Sequence, residues 1–338
     1  MRLPNVGKIM LDGSRESDNM TETPNASSNE AVLLILIAMS PESVTRLRER
    51  FDVLYAPTAP LAAEALREHG ARIRIALTNG SVGLQAAQID AMPRLSLACA
   101  LGAGYENLDL AHARARGVVL SNGAGTNEDV VADHALALLL ASVRAIPQYD
   151  RACRQGIWRD DLPSRPQLAH KRLGILGLGQ IGRKIARRAS AFDMHIGYHN
   201  RNPSTDVAHR YFDSLLALAQ WSDCLVIATP GGGGTKHLVD APVLKALGAG
   251  GFLVNIARGS IVDTEALARA LRHGELGGAA LDVYESEPLP PTALLDLPNV
   301  VLSPHVAGSS PEAKEASLQC FLENAALHLA GQAVRTPI

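Results

Sequence analysis

The chain has 338 residues, 47% of them hydrophobic, enough for two domains with substantial cores. Its formal net charge of -2 provides no basic face of the kind a nucleic-acid binder presents, and the longest apolar run near the start, residues 31–39, is too short to cross a bilayer. The four cysteines, Cys99, Cys153, Cys224 and Cys320, are far apart and lack metal-ligand spacing, so reduced thiols and no metal site are expected.

Residues 1–30 are rich in Ser, Asn, Thr and acidic groups without periodicity, and are expected to form a disordered extension, an over-long translation start being one origin. Asp12, Glu16, Asp18, Glu22 and Glu30 stand where a secretory leader would carry a compact basic segment, so a cytoplasmic protein is expected. Strand and helix signals then alternate: a strand over 32–38, helices near 41–50 and 61–69, a strand over 72–77, and further strands over 95–98 and 117–120. Such alternation predicts a first parallel-sheet domain. A long helix over 128–146, capped from the side of Asn127 and stopped by Pro147, reads as a connector.

The next segment carries the strongest signal. Leu173-Gly-Ile-Leu-Gly-Leu-Gly-Gln-Ile-Gly182 is an apolar run ending in Gly177-x-Gly179-x-x-Gly182 and followed by helix formers. Gly177 permits the tight turn out of a strand, Gly179 lets backbone approach a pyrophosphate, and Gly182 lets the helix pack closely, with its N-terminus facing the anion. Strand before and helix after make this a dinucleotide site rather than an ordinary turn. Candidate strands over 195–198, 224–228, 251–255, 279–283 and 300–302 bring the unit to six, as in a doubly wound sheet. A last helix over 311–329 is expected to return to the first domain. The division is therefore 31–126 with 306–338 as a discontinuous substrate domain, and 127–305 as the cofactor domain including the connector.

Ligands in an open parallel sheet lie beyond the carboxyl ends of its strands. Arg258, Glu287 and His305 each follow such an end in the second unit. An arginine can hold a substrate carboxylate and polarise a carbonyl, a histidine can protonate the oxygen as hydride reaches carbon, and a glutamate can stabilise the imidazolium. Taken singly, each could instead be structural: a strand-end cation, a solvated loop acid, a satisfied imidazole. Together behind one fingerprint they suit reduction of a 2-keto acid.

Four motifs in order, Gly177-Leu-Gly-Gln-Ile-Gly182, Asn255-Ile-Ala-Arg-Gly-Ser-Ile-Val-Asp263, Leu281-Asp-Val-Tyr-Glu-Ser-Glu-Pro288 and Ser303-Pro-His-Val-Ala-Gly308, resemble those of the D-isomer-specific 2-hydroxyacid dehydrogenases, and within them the glyoxylate and hydroxypyruvate reductases. The resemblance spans roughly residues 31–338. It implies two doubly wound parallel-sheet domains, a Rossmann cofactor domain inserted into a flavodoxin-like substrate domain. It also implies Arg258, Glu287 and His305 as the catalytic set, with Glu287 preferred to Glu285 because it directly precedes the proline. By the same resemblance Ala103 and Gly104, in Ala100-Leu-Gly-Ala-Gly-Tyr-Glu-Asn-Leu-Asp109, bind the substrate acid through backbone amides, where glycine keeps an anion nest clear. For that Ala100–Asp109 loop a plain strand-to-helix turn is the bland alternative; Asn79 and Gly80, ending another strand, resemble the neighbouring substrate loop.

The cofactor contacts implied are Gly177, Gly179, Gln180, Ile181 and Gly182 at the pyrophosphate, Thr229 and Pro230 after the next strand, and Ala257 and Asp282 near the nicotinamide. At the end of the second cofactor strand, where an acid would select NAD, the chain has Tyr198-His-Asn-Arg-Asn-Pro203. Asn200 and Arg201 therefore favour NADPH; the competing reading makes Arg201 a surface cation and accepts NADH. Thr229-Pro-Gly-Gly-Gly-Gly-Thr-Lys-His237 departs from many relatives in its four glycines, which suggests a cofactor loop of unusual freedom. Trp158 resembles a tryptophan that reaches a neighbouring subunit's site, suggesting a homodimer. Two other readings stay open, a nicotinamide-sensing corepressor-like protein and a dehydrogenase of another anion such as phosphite.

Overall fold

The computed structural model describes residues 31–338; the expected extension over residues 1–30 lies outside the described residues. The described chain builds two all-parallel sheets. The first comprises β1 (Val32–Ile35), β2 (Asp52–Tyr55), β3 (Ile73–Thr78), β4 (Leu97–Ala100) and β5 (Val119–Asn122), in the order β2-β1-β3-β4-β5 of flavodoxin-like folds. The second comprises β6 (Arg172–Leu176), β7 (His195–His199), β8 (Arg210–Tyr211), β9 (Cys224–Ile227), β10 (Phe252–Asn255), β11 (Gly278–Leu281) and β12 (Val300–Leu302). Its order, β12-β11-β10-β9-β6-β7-β8, reverses direction between β6 and β9, as in the Rossmann fold. Central strands of both sheets are buried along their whole length, which is why they read as continuous apolar runs rather than alternating ones.

Two strands, β2 and β8, are additional to those expected, and several expected bounds need correction. β2 has no apolar run: all four residues of Asp52–Tyr55 are only half-buried because the strand lies at the sheet edge. β8 has two residues, too few for a pattern. β4 and β5 start two residues later than the apolar periodicity implied. The connector is a helix over Glu128–Val143, after which Ala145 adopts φ 51° and a second helix, Ile146–Arg154, begins with Pro147 in its first turn. Proline starts that helix rather than merely stopping the first, since its missing N–H would be unpartnered there anyway. Nor does the Asn127 side chain cap the connector; the Glu128 carboxylate turns back to accept the N–H of Gly125 at 2.6 Å.

The connector packs through Val131, Ala135, Leu139 and Val143 into the core shared by β6, β7, β9 and β10 and the helix Gln180–Ser190. Burial on most of its circumference explains its weak amphipathic signature. The helix Pro311–Leu329 contributes Leu318, Phe321, Leu322 and Ala325 to the core of the first sheet, alongside Leu33, Ile35, Ile75 and Leu97. Among the described residues no single helix is long and apolar enough to cross a membrane.

Candidate active site

The glycine turn after β6 is built as its spacing demands. Gly177 has φ 99°, and a Cβ there would lie 2.7 Å from the N atom of Thr229 at the end of β9. A Cβ on Gly182 would strike the carbonyl oxygen of Gly177, so the helix Gln180–Ser190 approaches the turn more closely than alanine allows. Above Gly179 there is open space, at the N-terminus of that helix, which is where an anion is best held. The residues present therefore fit a dinucleotide. Ile181 faces the main cleft, and Thr229 and Pro230 follow β9 across the switch point.

Asn200 and Arg201 follow β7. The Asn200 Oδ1 accepts the Leu178 N–H at 2.7 Å, so this side chain braces the glycine turn. Arg201 is exposed and forms no ion pair among the described residues.

One cleft of about 1050 Å³ runs between the carboxyl ends of the two sheets, with Arg258, Asp282, Glu287 and His305 on one wall and Asn79, Gly80, Ala103 and Gly104 on the other. His305 has φ 53°, a left-handed conformation uncommon for a side-chain-bearing residue. Its N–H donates to Asp282 O at 2.8 Å, and its Nδ1 lies 2.8 Å from Glu287 Oε2. A carboxylate can only accept, so Nδ1 carries the hydrogen and Nε2 is the atom left for chemistry. The hydrogen bond that His305 donates to Glu287 raises the His305 pKa above its ordinary 6.5, outweighing burial and the nearby Arg258 charge. Burial alone would raise Glu287, but the His305 and Tyr284 hydrogen bonds outweigh it and hold the carboxyl below its ordinary range. Glu285, by contrast, accepts from Thr264 and pairs with His237 at 2.6 Å, away from His305.

Arg258 reaches across the cleft. Its Nη1 donates to Ala257 O at 2.6 Å and its Nη2 to Glu106 Oε2 at 2.9 Å. A Cβ on Gly104 would run into this guanidinium, and one on Gly231 would lie 2.7 Å from the Arg258 Cγ. At least one of the four consecutive glycines thus makes room for the arginine stem, while Cβ atoms on Gly232, Gly233 and Gly234 would meet open space. Below the loop, the buried Asn255 donates to Arg258 O at 2.9 Å and accepts from the Ala257 N–H at 3.0 Å, tying the end of β10 to the arginine.

On the facing wall, Asn79 Oδ1 accepts the N–H groups of Ser81 and Val82, and Asn122 donates to Ala103 O at 2.8 Å, fixing two loops. The N–H groups of Gly80, Ala103 and Gly104 make no hydrogen bond among the described residues, which leaves a nest of donors beside the guanidinium.

Asp282, fully buried at the end of β11, accepts from Ser303 Oγ at 2.6 Å and from the N–H groups of Val306 and Ala307 at 3.0 and 2.9 Å. His134 on the connector adds a hydrogen bond to Ser303 at 2.9 Å. Burial opposes the Asp282 charge, yet His134, Ser303 and the two amides hold its carboxyl below the ordinary range. Asp282 thus anchors the loop that carries His305, a role not visible from its place at a strand end. Glu106 and Asn255 were passed over in the sequence, and Asn127, expected only as a helix cap, has its Oδ1 buried in the cleft wall without a partner among the described residues. Glu106 and Asn255 lie inside motifs already quoted; their cross-chain partners are what gives them meaning.

Residues 136–307 match the family model described as D-isomer specific 2-hydroxyacid dehydrogenase, NAD binding domain. The chain belongs to that family. It is 38% identical over 307 residues to the glyoxylate/hydroxypyruvate reductase A of Arabidopsis thaliana, covering 90% of this chain and 98% of that protein. It is 36% identical, with the same coverage, to a hydroxyphenylpyruvate reductase of Plectranthus scutellarioides. Among solved structures it resembles an NADPH-dependent glyoxylate/hydroxypyruvate reductase from Sinorhizobium meliloti in complex with NADP and malonate. That match has 35% identity and a TM-score of 0.85, over 92% of this chain and 97% of the other. This 2-hydroxyacid dehydrogenase accordingly has two parallel-sheet α/β lobes and uses NAD(P).

Proposed function

We propose that this dehydrogenase reduces a small 2-keto acid of the glyoxylate or hydroxypyruvate class to the D-2-hydroxy acid, preferring NADPH, with His305 as general acid. The observation that carries the proposal is the convergence in one cleft of Arg258, the His305–Glu287 pair and the unpaired amides of Gly80, Ala103 and Gly104. Bound nicotinamide supplies the hydride. Arg258 and the amide nest hold the substrate carboxylate and orient its carbonyl, and Arg258 withdraws charge from the oxygen. The His305 Nε2 gives its proton to that oxygen as the carbonyl π electrons move onto it, and Glu287 stabilises the imidazolium beforehand.

NADPH preference rests on Arg201, exposed and unpaired beyond β7 with no carboxylate in residues 198–203. The relative from Sinorhizobium meliloti, described as NADPH-dependent, adds support. Exposed Ile146, Ile157 and Trp158, on and after the helix Ile146–Arg154, support a homodimer formed through this segment.

The test is an initial-rate panel of glyoxylate, hydroxypyruvate, pyruvate and 4-hydroxyphenylpyruvate with NADPH and NADH, run beside His305→Gln. Turnover of the small keto acids, lost by at least a hundredfold in the variant, is expected. Nucleotide binding without turnover of any keto acid would instead favour a sensor.

A further inference from the structure

We propose that Glu106 is a positioning residue for Arg258, a carboxylate on the first lobe that sets the arginine's pose through an ion pair bridging the cleft. Arg258 follows β10 in the seven-stranded sheet, whereas Glu106 lies in the loop after β4 in the five-stranded one. Their 2.9 Å contact is therefore made only when the two lobes are close. The side chains are 32% and 23% exposed, so the pair is partly shielded and less screened than a fully exposed one.

Glu106 also lies against the anion nest. A Cβ on Gly80 would be 3.0 Å from its Oε2, and one on Gly104 would be 2.9 Å from the same atom. The carboxylate thus occupies the edge of the substrate site without accepting any of the nest's N–H groups. It takes the Nη2 donor of Arg258, while Ala257 O takes one from Nη1 and Gly231 leaves room for the stem. Two hydrogen bonds, one to each lobe, hold the guanidinium plane, leaving its remaining N–H donors for the substrate. A planar fork works only in one orientation, and a long flexible stem does not find that orientation unaided. Glu106 hence links closure of the lobes to a correctly aimed arginine.

The inference rests on the reading of Arg258 as the substrate-holding cation, and the experiment separates the two. Glu106→Gln, Glu106→Asp, Arg258→Lys and the double variant Glu106→Gln/Arg258→Lys are compared with wild type for kcat and KM toward whichever of glyoxylate and hydroxypyruvate wild type turns over faster. NADPH affinity is followed by nucleotide fluorescence. Glu106→Gln is expected to raise KM and lower kcat, reducing kcat/KM at least tenfold. NADPH affinity should stay within twofold, which shows a folded cofactor lobe, and Glu106→Asp should recover part of the loss. In the Arg258→Lys background the Glu106 change should cost less than threefold, because its effect passes through the guanidinium. A Glu106→Gln enzyme within twofold of wild type in kcat/KM would overturn the proposal. So would a lowered KM with unchanged kcat, the behaviour of a carboxylate that only repels the substrate, or losses that multiply in the double variant. If Arg258→Lys itself keeps wild-type kcat/KM, it is the underlying reading of Arg258 that fails.

Discussion

At the scale of single residues, the proposed role of His305 as general acid makes its protonation the control on turnover. Its pKa is raised by the Glu287 hydrogen bond, so keto-acid reduction should hold its rate through pH 6.5 and fall as pH rises through the elevated value. Oxidation of the hydroxy acid needs the neutral imidazole and should show the opposite slope. Glu287→Gln removes the charge that favours imidazolium, so the alkaline limb of the reduction profile should move to lower pH, which pH-dependent initial rates would reveal. An unmoved limb would mean that another group titrates. Linkage gives the same pair a stability profile. The raised His305 contributes fully below 6.5 and loses its contribution as pH climbs through its folded value. The depressed Glu287 contributes above 4.5 and loses its contribution as pH falls through its own folded value.

Arg201 poses the second single-residue question. Arg201→Asp should lower the ratio of kcat/KM for NADPH over NADH by at least tenfold, about 1.4 kcal/mol, measured with both cofactors at a fixed keto-acid concentration. Neighbouring Asn200 is a poorer place to probe specificity, because its Oδ1 already accepts the Leu178 N–H and its loss would disturb the glycine turn.

At the scale of elements, the loop after β12 is held by the end of β11. Asp282 gathers Ser303 and the amides of Val306 and Ala307, and so fixes the backbone on both sides of the left-handed His305. Asp282→Asn keeps an acceptor but loses the charge and presents an NH2 to N–H donors. The expected cost is about 1.5–3 kcal/mol of stability by denaturant titration, together with a fall in kcat as His305 loses its placement. A variant with wild-type midpoint and kcat would show that the loop holds itself. The helix Gln180–Ser190 illustrates a weaker tie. Lys184 and Arg188 pair with Asp129 and Asp133 of the connector, but those acids are mostly solvent-exposed, so water and salt screen the pairs and they add little. The apolar contact of Ile185, Ala186 and Ala189 with Ala132, Ala135 and Leu139 carries that interface.

At the scale of the whole molecule, two sheets present their carboxyl ends to one cleft, and a second copy is proposed to pack on the segment carrying Ile146, Ile157 and Trp158. Light scattering should give a mass twice that of the single chain, and Trp158→Arg should shift it toward the monomer; a monomeric wild type would reject the assembly. The two parallel-sheet lobes, six of the seven strands of the second sheet and the glycine turn were legible in the chain, because buried parallel strands are short apolar runs and a nucleotide turn needs glycines at set offsets. Edge strands β2 and β8 were not, being half-buried or too short to carry a pattern. Arg258, Glu287 and His305 stood out because each follows a strand end, where topology collects reactive groups. What tertiary structure alone decided was partnership. Glu106 meets Arg258 across 152 positions of sequence and His134 meets Ser303 across 169, while Asn127 turns from its helix end to the cleft wall. Local chemistry can mark a residue as able to hold a charge or a proton, but the group it faces is chosen only when distant segments pack together.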